Sequence, residues 1–135
     1  MRKIVVYWSG TGNTEGIANL IANDINADIS SVSDINVSKA LEYDTIVLGC
    51  PAMGAEELED MEFKPFYEEL IGQVQNQRIF LFGSYDWGDG QWMRSWSEDV
   101  KNNGINLECE GLIVNGDTSA IIDEEYQSFI KQINC

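Results

Sequence analysis

The stretch YWSGTGNTEGIANLIAND, residues 7–24, contains the pattern that decides the fold. It begins at the end of an apolar run, continues through a loop of small polar residues, and ends in apolar residues at helical spacing. Gly10 and Gly12 permit a sharp turn and a close approach of the backbone to a ligand. The first N–H groups of a following helix face such a loop and attract anions. The stretch therefore predicts a strand, an anion-binding loop and a helix in succession.

The loop SGTGNT, residues 9–14, has side chains that can donate hydrogen bonds to phosphate oxygens. They occupy all four positions that are not glycine: Ser9, Thr11, Asn13 and Thr14. We expect Thr14 or Asn13 to cap the helix as well. An ordinary glycine-rich turn is the alternative interpretation. Two other phosphate motifs do not fit, because the lysine of a nucleoside-triphosphate loop is missing and Glu15 replaces the third glycine of a dinucleotide fingerprint.

Short apolar runs recur along the chain and predict five strands. Four runs are continuous and the last is a partly polar edge candidate: KIVVYW (3–8), TIVLGC (45–50), RIFLFGS (78–84), LIVNG (112–116) and ADISSVS (27–33). Continuous apolar runs are typical of parallel strands that are buried on both faces.

Apolar residues at spacings of three and four predict helices between these strands. The four stripes consist of Ile17, Leu20, Ile21 and Ile25; Phe63, Phe66, Tyr67, Leu70, Ile71 and Val74; Trp92, Trp96 and Val100; and Tyr126, Phe129, Ile130 and Ile133. A further short helix is expected near 37–42. The alternation predicts an α/β fold, with a doubly wound five-stranded parallel sheet that has helices on both faces, in a single domain over residues 1–135.

Ligands of such sheets bind beyond the carboxyl ends of the strands, so the loops after the third and fourth strands are of interest. In CPAMGAEELED (50–60), a Met53-Gly54 turn precedes an acidic rim, for which a solvated turn is the alternative interpretation. In GSYDWGDGQW (83–92), Tyr85 and Trp87 lie among glycines and aspartates, which favours an apolar wall for a flat ring over burial in the core. The acidic residues are Glu56, Glu57, Glu59 and Asp60.

The composition restricts the function. The chain has 23 acidic and 8 basic residues, which gives a formal net charge of −15. Such a charge excludes nucleic-acid binding, since phosphate neutralisation supplies most of that affinity, and it favours partner proteins with basic docking faces. Histidine is absent, so the usual general base and the commonest transition-metal ligand are missing. We therefore expect neither catalytic residues nor a metal site.

The cysteines and the N-terminal residues indicate a compartment. Three cysteines without C-x-x-C spacing suit a reducing cytosol, and they are too few for a simple iron–sulfur cluster. The start MRKIVVYW leads directly into a strand and does not resemble a signal peptide. No stretch approaches the roughly 20 apolar residues of a membrane span. We expect a cytoplasmic monomer that does not bind membranes.

Three motifs, taken in this order, resemble the short-chain flavodoxins of clostridia and related anaerobes, and the resemblance extends over essentially the whole chain. The motifs are VYWSGTGNTE (6–15), LGCPAMGAEELED (48–60) and LFGSYDWGDGQWM (81–93). The resemblance implies a flavodoxin-like fold, noncovalently bound FMN as the cofactor, and an electron-transfer protein rather than an enzyme.

The resemblance also implies roles for individual residues. The family's loop around the FMN phosphate is matched by Ser9, Gly10, Thr11, Gly12, Asn13 and Thr14. Met53 matches the residue on the inner face of the isoalloxazine ring, and Trp87 matches the outer stacking residue. Gly54 matches a glycine whose peptide flips so that its carbonyl accepts a hydrogen bond from the protonated flavin N5, and Glu56 matches a residue near the flavin N3. The other expected cofactor contacts are Pro51, Ala52, Ala55, Ser84, Tyr85, Asp86 and Gly88.

Two of these positions depart from the family pattern. Asp86 stands where the family usually has glycine; aspartate tolerates a left-handed backbone, but its charge beside the ring would disfavour an anionic reduced flavin. Ala55 stands where some relatives have serine or aspartate, which leaves open how readily the turn flips.

Resemblance and charge together predict a low-potential one-electron carrier that cycles between a neutral semiquinone and an anionic hydroquinone. Adding negative charge to a cofactor in a protein of charge −15 is unfavourable, and the second reduction step therefore moves to low potential. The alternative is an FMN-dependent reductase that uses NAD(P)H or a quinone on the same fold. A response-regulator receiver fits less well, because the first strand ends without carboxylates and LIVNG contains no lysine. A scaffold without a cofactor also remains open.

Overall fold

The computed structural model describes residues 2–135 and confirms the predicted order of elements. The strands are β1 (Lys3–Tyr7), β2 (Asp28–Ser31), β3 (Thr45–Gly49), β4 (Arg78–Ser84) and β5 (Leu112–Val114). The helices are α1 (Asn13–Ile25), α2 (Val37–Ala40), α3 (Phe63–Ile71), α4 (Gln91–Asn102) and α5 (Asp123–Asn134). Only β4 has the predicted bounds, because strand pairing in the other four runs stops one or two residues before the end of the run, where the chain leaves the sheet.

The strands form one parallel sheet in the order β2-β1-β3-β4-β5, so the strand order reverses between β1 and β3. Tyr7 at the end of β1 pairs with Gly49 at the end of β3, and Gly49 pairs with Phe82. The carboxyl ends of these strands therefore lie side by side, and the loops that follow them leave the sheet at one edge. This carboxyl edge, next to the reversal of strand order, is where doubly wound sheets bind ligands.

Side chains alternate between the two faces of the sheet, and each face has its own apolar core. Ile46 and Leu48 pack with residues of α2, α3 and α4 on one face, whereas Val47 and Phe82 pack with α1 and α5 on the other. All four side chains are fully buried. The prediction of a doubly wound sheet with helices on both faces is confirmed.

Every residue of the predicted helix stripes except Leu20 packs in or against these cores. Leu20 is 36% exposed, because it lies at the margin of the α1 face that Ile17 and Ile21 define. Val74 packs against the core but lies beyond α3, which ends at Ile71. No helix in residues 2–135 combines the length and the apolar character that a membrane crossing requires.

Candidate functional site

The first loop connects β1 to α1 and has its sharpest bend at Gly12, whose φ is +98°. The hydroxyl oxygen of Ser9 accepts hydrogen bonds from the N–H groups of Gly12 (3.1 Å) and Glu15 (3.2 Å). Ser9 therefore has the capping role. The prediction that Thr14 or Asn13 caps the helix is wrong, because α1 begins at Asn13 and both residues lie inside it.

The same loop presents a set of free backbone donors. Among the described residues, no acceptor receives the N–H groups of Gly10, Thr11, Asn13 and Thr14. These groups lie at the start of the 13-residue helix α1, where the helix dipole adds positive potential. The loop has no lysine or arginine. An anion bound at this point would be held by neutral donors alone.

The first and third loops are joined by a buried hydrogen bond between two predicted site residues. The hydroxyl oxygens of Thr14 and Ser84 lie 2.8 Å apart. Thr14 is 1% exposed and Ser84 is 4% exposed. The start of α1 and the end of β4 are therefore tied together directly behind the free donors of the first loop.

The second loop is held at its beginning by β4. The N–H of Cys50 donates to the carbonyl of Phe82 (3.2 Å), and the N–H of Ala52 donates to the carbonyl of Ser84 (3.0 Å). The half-buried Pro51 lies between these two bonds, and its carbonyl accepts from the Cys50 thiol (3.5 Å). The chain thus follows the sheet as far as Ala52 before it turns away.

The turn that follows is closed at its neck. Met53 and Glu57 exchange two backbone hydrogen bonds of 2.8 and 2.9 Å. Gly54 has a φ of +47°, and a Cβ built on it would meet nothing within 4 Å. The side chains of Met53 and Ala55 are exposed. The turn therefore presents Met53 and the Gly54 backbone at the carboxyl edge of the sheet.

Glu56 connects this turn to the third loop. Its φ is +56°, which is unusual for a residue with a side chain. Its carboxylate accepts a hydrogen bond from the N–H of Gln91 at the start of α4 (3.2 Å). A Cβ on Gly88 would lie 2.4 Å from that carboxylate, so the absence of a side chain there gives Glu56 its room.

Glu59 is not part of an exposed rim, contrary to the sequence-based interpretation. It is 6% exposed, and its carboxylate accepts three N–H groups, those of Met61 (2.8 Å), Glu62 (2.8 Å) and Phe63 (2.7 Å). Burial alone would raise the pKa of the Glu59 carboxyl, but these three donors outweigh it and lower the pKa. Glu59 therefore caps α3 and ends the second loop.

The third loop exposes one aromatic side chain and half-buries another. Trp87 is 63% exposed, whereas the Tyr85 ring packs at 5.4 Å and 47° against the buried ring of Trp92. The left-handed conformation considered for Asp86 does not occur, since Asn26 and Glu56 are the only described residues other than glycine with positive φ. Asp86 is exposed.

Cys50 lies at the base of the site and is fully buried. Burial raises the pKa of its thiol to about 12, so the thiol stays protonated at neutral pH and is a poor nucleophile. Its sulfur accepts from the N–H of Glu59 (3.4 Å), which brings the two ends of the second loop together. The role of Cys50 is structural.

Sequence reasoning missed Trp8. Its indole N–H donates to the Glu62 carboxylate (3.1 Å). Its ring packs so close to Gly10 that a Cβ built on that glycine would lie 3.0 Å from it. Trp8 thus supports the first loop from the side of α3. The only sequence signal for this role of Trp8 was an aromatic residue directly before the glycine loop. The capping role of Glu59 was also missed, and its only signal was an acidic residue just before a helix.

The chemistry of the carboxyl edge suits a flat aromatic group that carries a phosphate. Free N–H groups of the first loop suit the phosphate, and the exposed faces of Met53 (37%) and Trp87 (63%) suit the ring. A cavity of about 730 Å³ lies between α4 and β5, but its lining includes no residue of the first or second loop. The cavity contains neither the free N–H groups of the first loop nor the exposed faces of Met53 and Trp87, so the carboxyl edge is the better candidate.

Comparison with known proteins agrees with this geometry. A family model described as flavodoxin matches residues 5–129. The flavodoxin of Clostridium beijerinckii is 46% identical over 115 residues, covering 82% of this chain and 83% of the relative. The flavodoxin of Megasphaera elsdenii is 47% identical over 108 residues, covering 76% and 79%. The solution structure of the two-electron reduced Megasphaera elsdenii flavodoxin aligns with a TM-score of 0.83 at 36% identity over 98% of this chain and 95% of that one.

The fold, the loop motifs and the sequence relatives lead to the same assignment. The family match covers nearly the whole chain, and both relatives are well above 30% identity. The chain belongs to the flavodoxin family, whose members are electron-transfer proteins that bind FMN and donate electrons to redox partner proteins.

Proposed function

We propose that this chain is a low-potential one-electron carrier that cycles its FMN between the neutral semiquinone and the anionic hydroquinone. One observation carries the proposal, namely the free N–H groups of the first loop, at a helix N-terminus and without a basic side chain. Such a loop can bind a phosphate without placing a cationic side chain near the cofactor. Residues 1–135 would form one cofactor-binding domain.

Different residues of the chain would bind the phosphate and the ring of the cofactor. Residues 9–14 would hold the phosphate through the backbone N–H groups and the side chains of Thr11 and Asn13. Met53 and Trp87 would cover the two faces of the ring, supported by Tyr85. Bound FMN supplies one-electron redox chemistry. The remaining proposed contacts are Pro51, Ala52, Gly54, Ala55, Glu56, Ser84, Asp86 and Gly88.

The distribution of charge supports a low potential. The net charge is −15, and ion pairs neutralise several of the few cations. Arg94 at the start of α4 is paired with Asp89 (3.0 Å), and Arg78 is paired with Glu108 (2.6 Å). Added negative charge on a bound cofactor therefore meets an excess of carboxylates, and the second reduction step becomes unfavourable.

Exposed residues of the second loop support a proposal about partners. Glu57 and Asp60 are exposed beside the turn, and Met61 between the acidic residues is 81% exposed. We infer that redox partners dock here with basic faces, and that attraction weakens with salt.

The cysteines support a proposal about location. All three are free, which supports a reducing cytoplasm. The carrier would act as a monomer.

The experiment that tests the proposal is a fluorescence titration of the apoprotein with FMN, with riboflavin as the control. We expect stoichiometric FMN binding and at least about 100-fold weaker riboflavin binding, because several charge-assisted hydrogen bonds to the phosphate are lost. Equal affinities would show that the first loop is only a turn. Failure to bind either ligand would contradict the proposed function.

Gly54→Val is expected to reduce the stability of the semiquinone about tenfold in a reductive titration, which corresponds to about 60 mV for a one-electron couple. A β-branched residue resists the positive φ of this turn. No atom lies within 4 Å of the added Cβ, so steric overlap does not contribute. The matched control is Gly104→Val, at a φ of +84° in equally open space after α4. An identical semiquinone yield in both variants would refute a role for the Gly54 backbone.

A further inference from the structure

Trp92, in the first turn of α4, contacts both loops that flank the proposed ring site. Its indole N–H donates to the carbonyl of Cys50 at 3.2 Å. Its ring packs against Tyr85, with centroids 5.4 Å apart. Cys50 begins the second loop, and Tyr85 belongs to the third. The side chain of Trp92 is 1% exposed, so this hydrogen bond is shielded from water.

The position of Cys50 determines where the next residues of the second loop lie. Ala52 is bonded through its N–H to the Ser84 carbonyl (3.0 Å), and the next residue, Met53, begins the closed turn. Only Pro51 lies between Cys50 and Ala52, and its ring fixes φ. A displacement of the Cys50 carbonyl would therefore shift the Met53 side chain relative to the third loop.

We propose that Trp92 is a positioning residue whose N–H holds the second loop at a fixed distance from Tyr85 and so sets the width of the ring site. The inference deepens the proposed function and rests on it. Trp92 itself is too deeply buried to touch the ring of a bound cofactor, so it acts through Cys50 and Tyr85.

The chain contains a matched control for this role. Trp96 lies one helical turn further along α4 and is 2% exposed. Its indole nitrogen has no hydrogen-bond partner in the described part of the chain, and the hydroxyl of the neighbouring Tyr67 donates to Asp99 instead (2.8 Å). Trp96→Phe and Trp92→Phe therefore remove the same volume from the same helix, but only Trp92→Phe removes a donor from a loop carbonyl.

The first readout is amide hydrogen exchange in the apoprotein, which does not depend on the cofactor. We expect the amides of Ala52 and Met53 to exchange about tenfold faster in Trp92→Phe than in Trp96→Phe, because one buried hydrogen bond that restrains local opening is lost. Equal exchange in the two variants would overturn the proposal.

The second readout is binding of FMN and of riboflavin to the same variants. Trp92→Phe should weaken both ligands by a similar factor of about ten, so that the FMN to riboflavin affinity ratio stays at the wild-type value, since the phosphate loop is untouched. Unchanged riboflavin affinity would overturn the positioning role. Absence of FMN binding in the wild-type chain would instead contradict the proposed function.

A second variant separates the lost donor from the lost volume. Replacing Trp92 with 3-benzothienylalanine keeps the bicyclic shape and substitutes sulfur for the N–H. If this chain gives the same faster exchange at Ala52 and Met53, the hydrogen bond is responsible. If it behaves like the wild type, packing alone positions the loop and the proposal is wrong. The same variant tests the positioning role if Trp92→Phe fails to fold.

Discussion

Gly83→Ala is expected to lower the free energy of unfolding by about 3 kcal/mol, seen as a lower midpoint in urea denaturation. Gly83 lies in β4 between the Cys50 carbonyl and the Trp92 ring. A Cβ at this position would lie 2.2 Å from the Cys50 oxygen and 3.0 Å from the ring. The nearer atom belongs to the backbone of the adjoining chain segment and cannot rotate away, so the sheet itself must shift.

Gly72→Ala provides the matched control, because it introduces the same methyl group after α3, where the nearest atom lies 3.8 Å away. Its φ of −74° is one that alanine adopts without strain. We expect a change of less than about 0.5 kcal/mol in this variant. Similar losses in the two variants would mean that the strands separate easily at Gly83, contrary to the close contact in the structure.

Glu59→Ala is expected to cost about 3 kcal/mol of unfolding free energy at pH 7, measured by urea denaturation. The substitution removes the acceptor of three backbone N–H groups at the start of α3, at 2.7–2.8 Å. The Phe63 N–H is buried and would be left without an acceptor, and the part-buried N–H groups of Met61 and Glu62 would lose their charge-assisted partner. The adjacent Asp60→Ala is the control, since Asp60 is exposed, and its loss should change stability by less than about 0.5 kcal/mol.

The contribution of Glu59 depends on pH in a defined direction. Its pKa is lower in the folded chain than the ordinary value of 4.5, because the three N–H donors outweigh the effect of burial. Its stabilising contribution is therefore fully present above about pH 4.5 and is lost as the pH falls through the lower folded-state pKa. The stability difference between wild type and Glu59→Ala should shrink on acidification below pH 4.5. A difference that is the same at pH 7 and pH 3 would show that Glu59 acts without its charge.

The general architecture could be predicted from the sequence because its signals are local. The run RIFLFGS gave β4 with its observed bounds, since an unbroken apolar run bounded by polar residues has few other conformations in a doubly wound sheet. Helix starts were harder to predict. The capping residue of α1 proved to be Ser9, because the bend at Gly12 brings its hydroxyl back to the helix start.

The site residues were chosen from loop motifs, and the structure decided how the loops are joined. The hydrogen bond between the hydroxyls of Thr14 and Ser84 joins residues 70 positions apart, and the one from Trp92 to Cys50 joins residues 42 positions apart. No periodicity or spacing along the chain predicts either pair. Taken alone, Thr14 has the ordinary interpretation of a helix cap, and Trp92 that of a core residue.

By itself the sequence determined the order of strands and helices, the loop without a cation and the excess of negative charge, since each depends on residue types within a short window or on their sum. Only the tertiary structure decided that Glu59 is buried as a cap, that Glu56 reaches α4, and that Trp92 contacts the second loop. These facts depend on which side chains the parallel sheet brings together at its carboxyl edge. That proximity arises when the strands pair, and it is therefore a property of the folded chain.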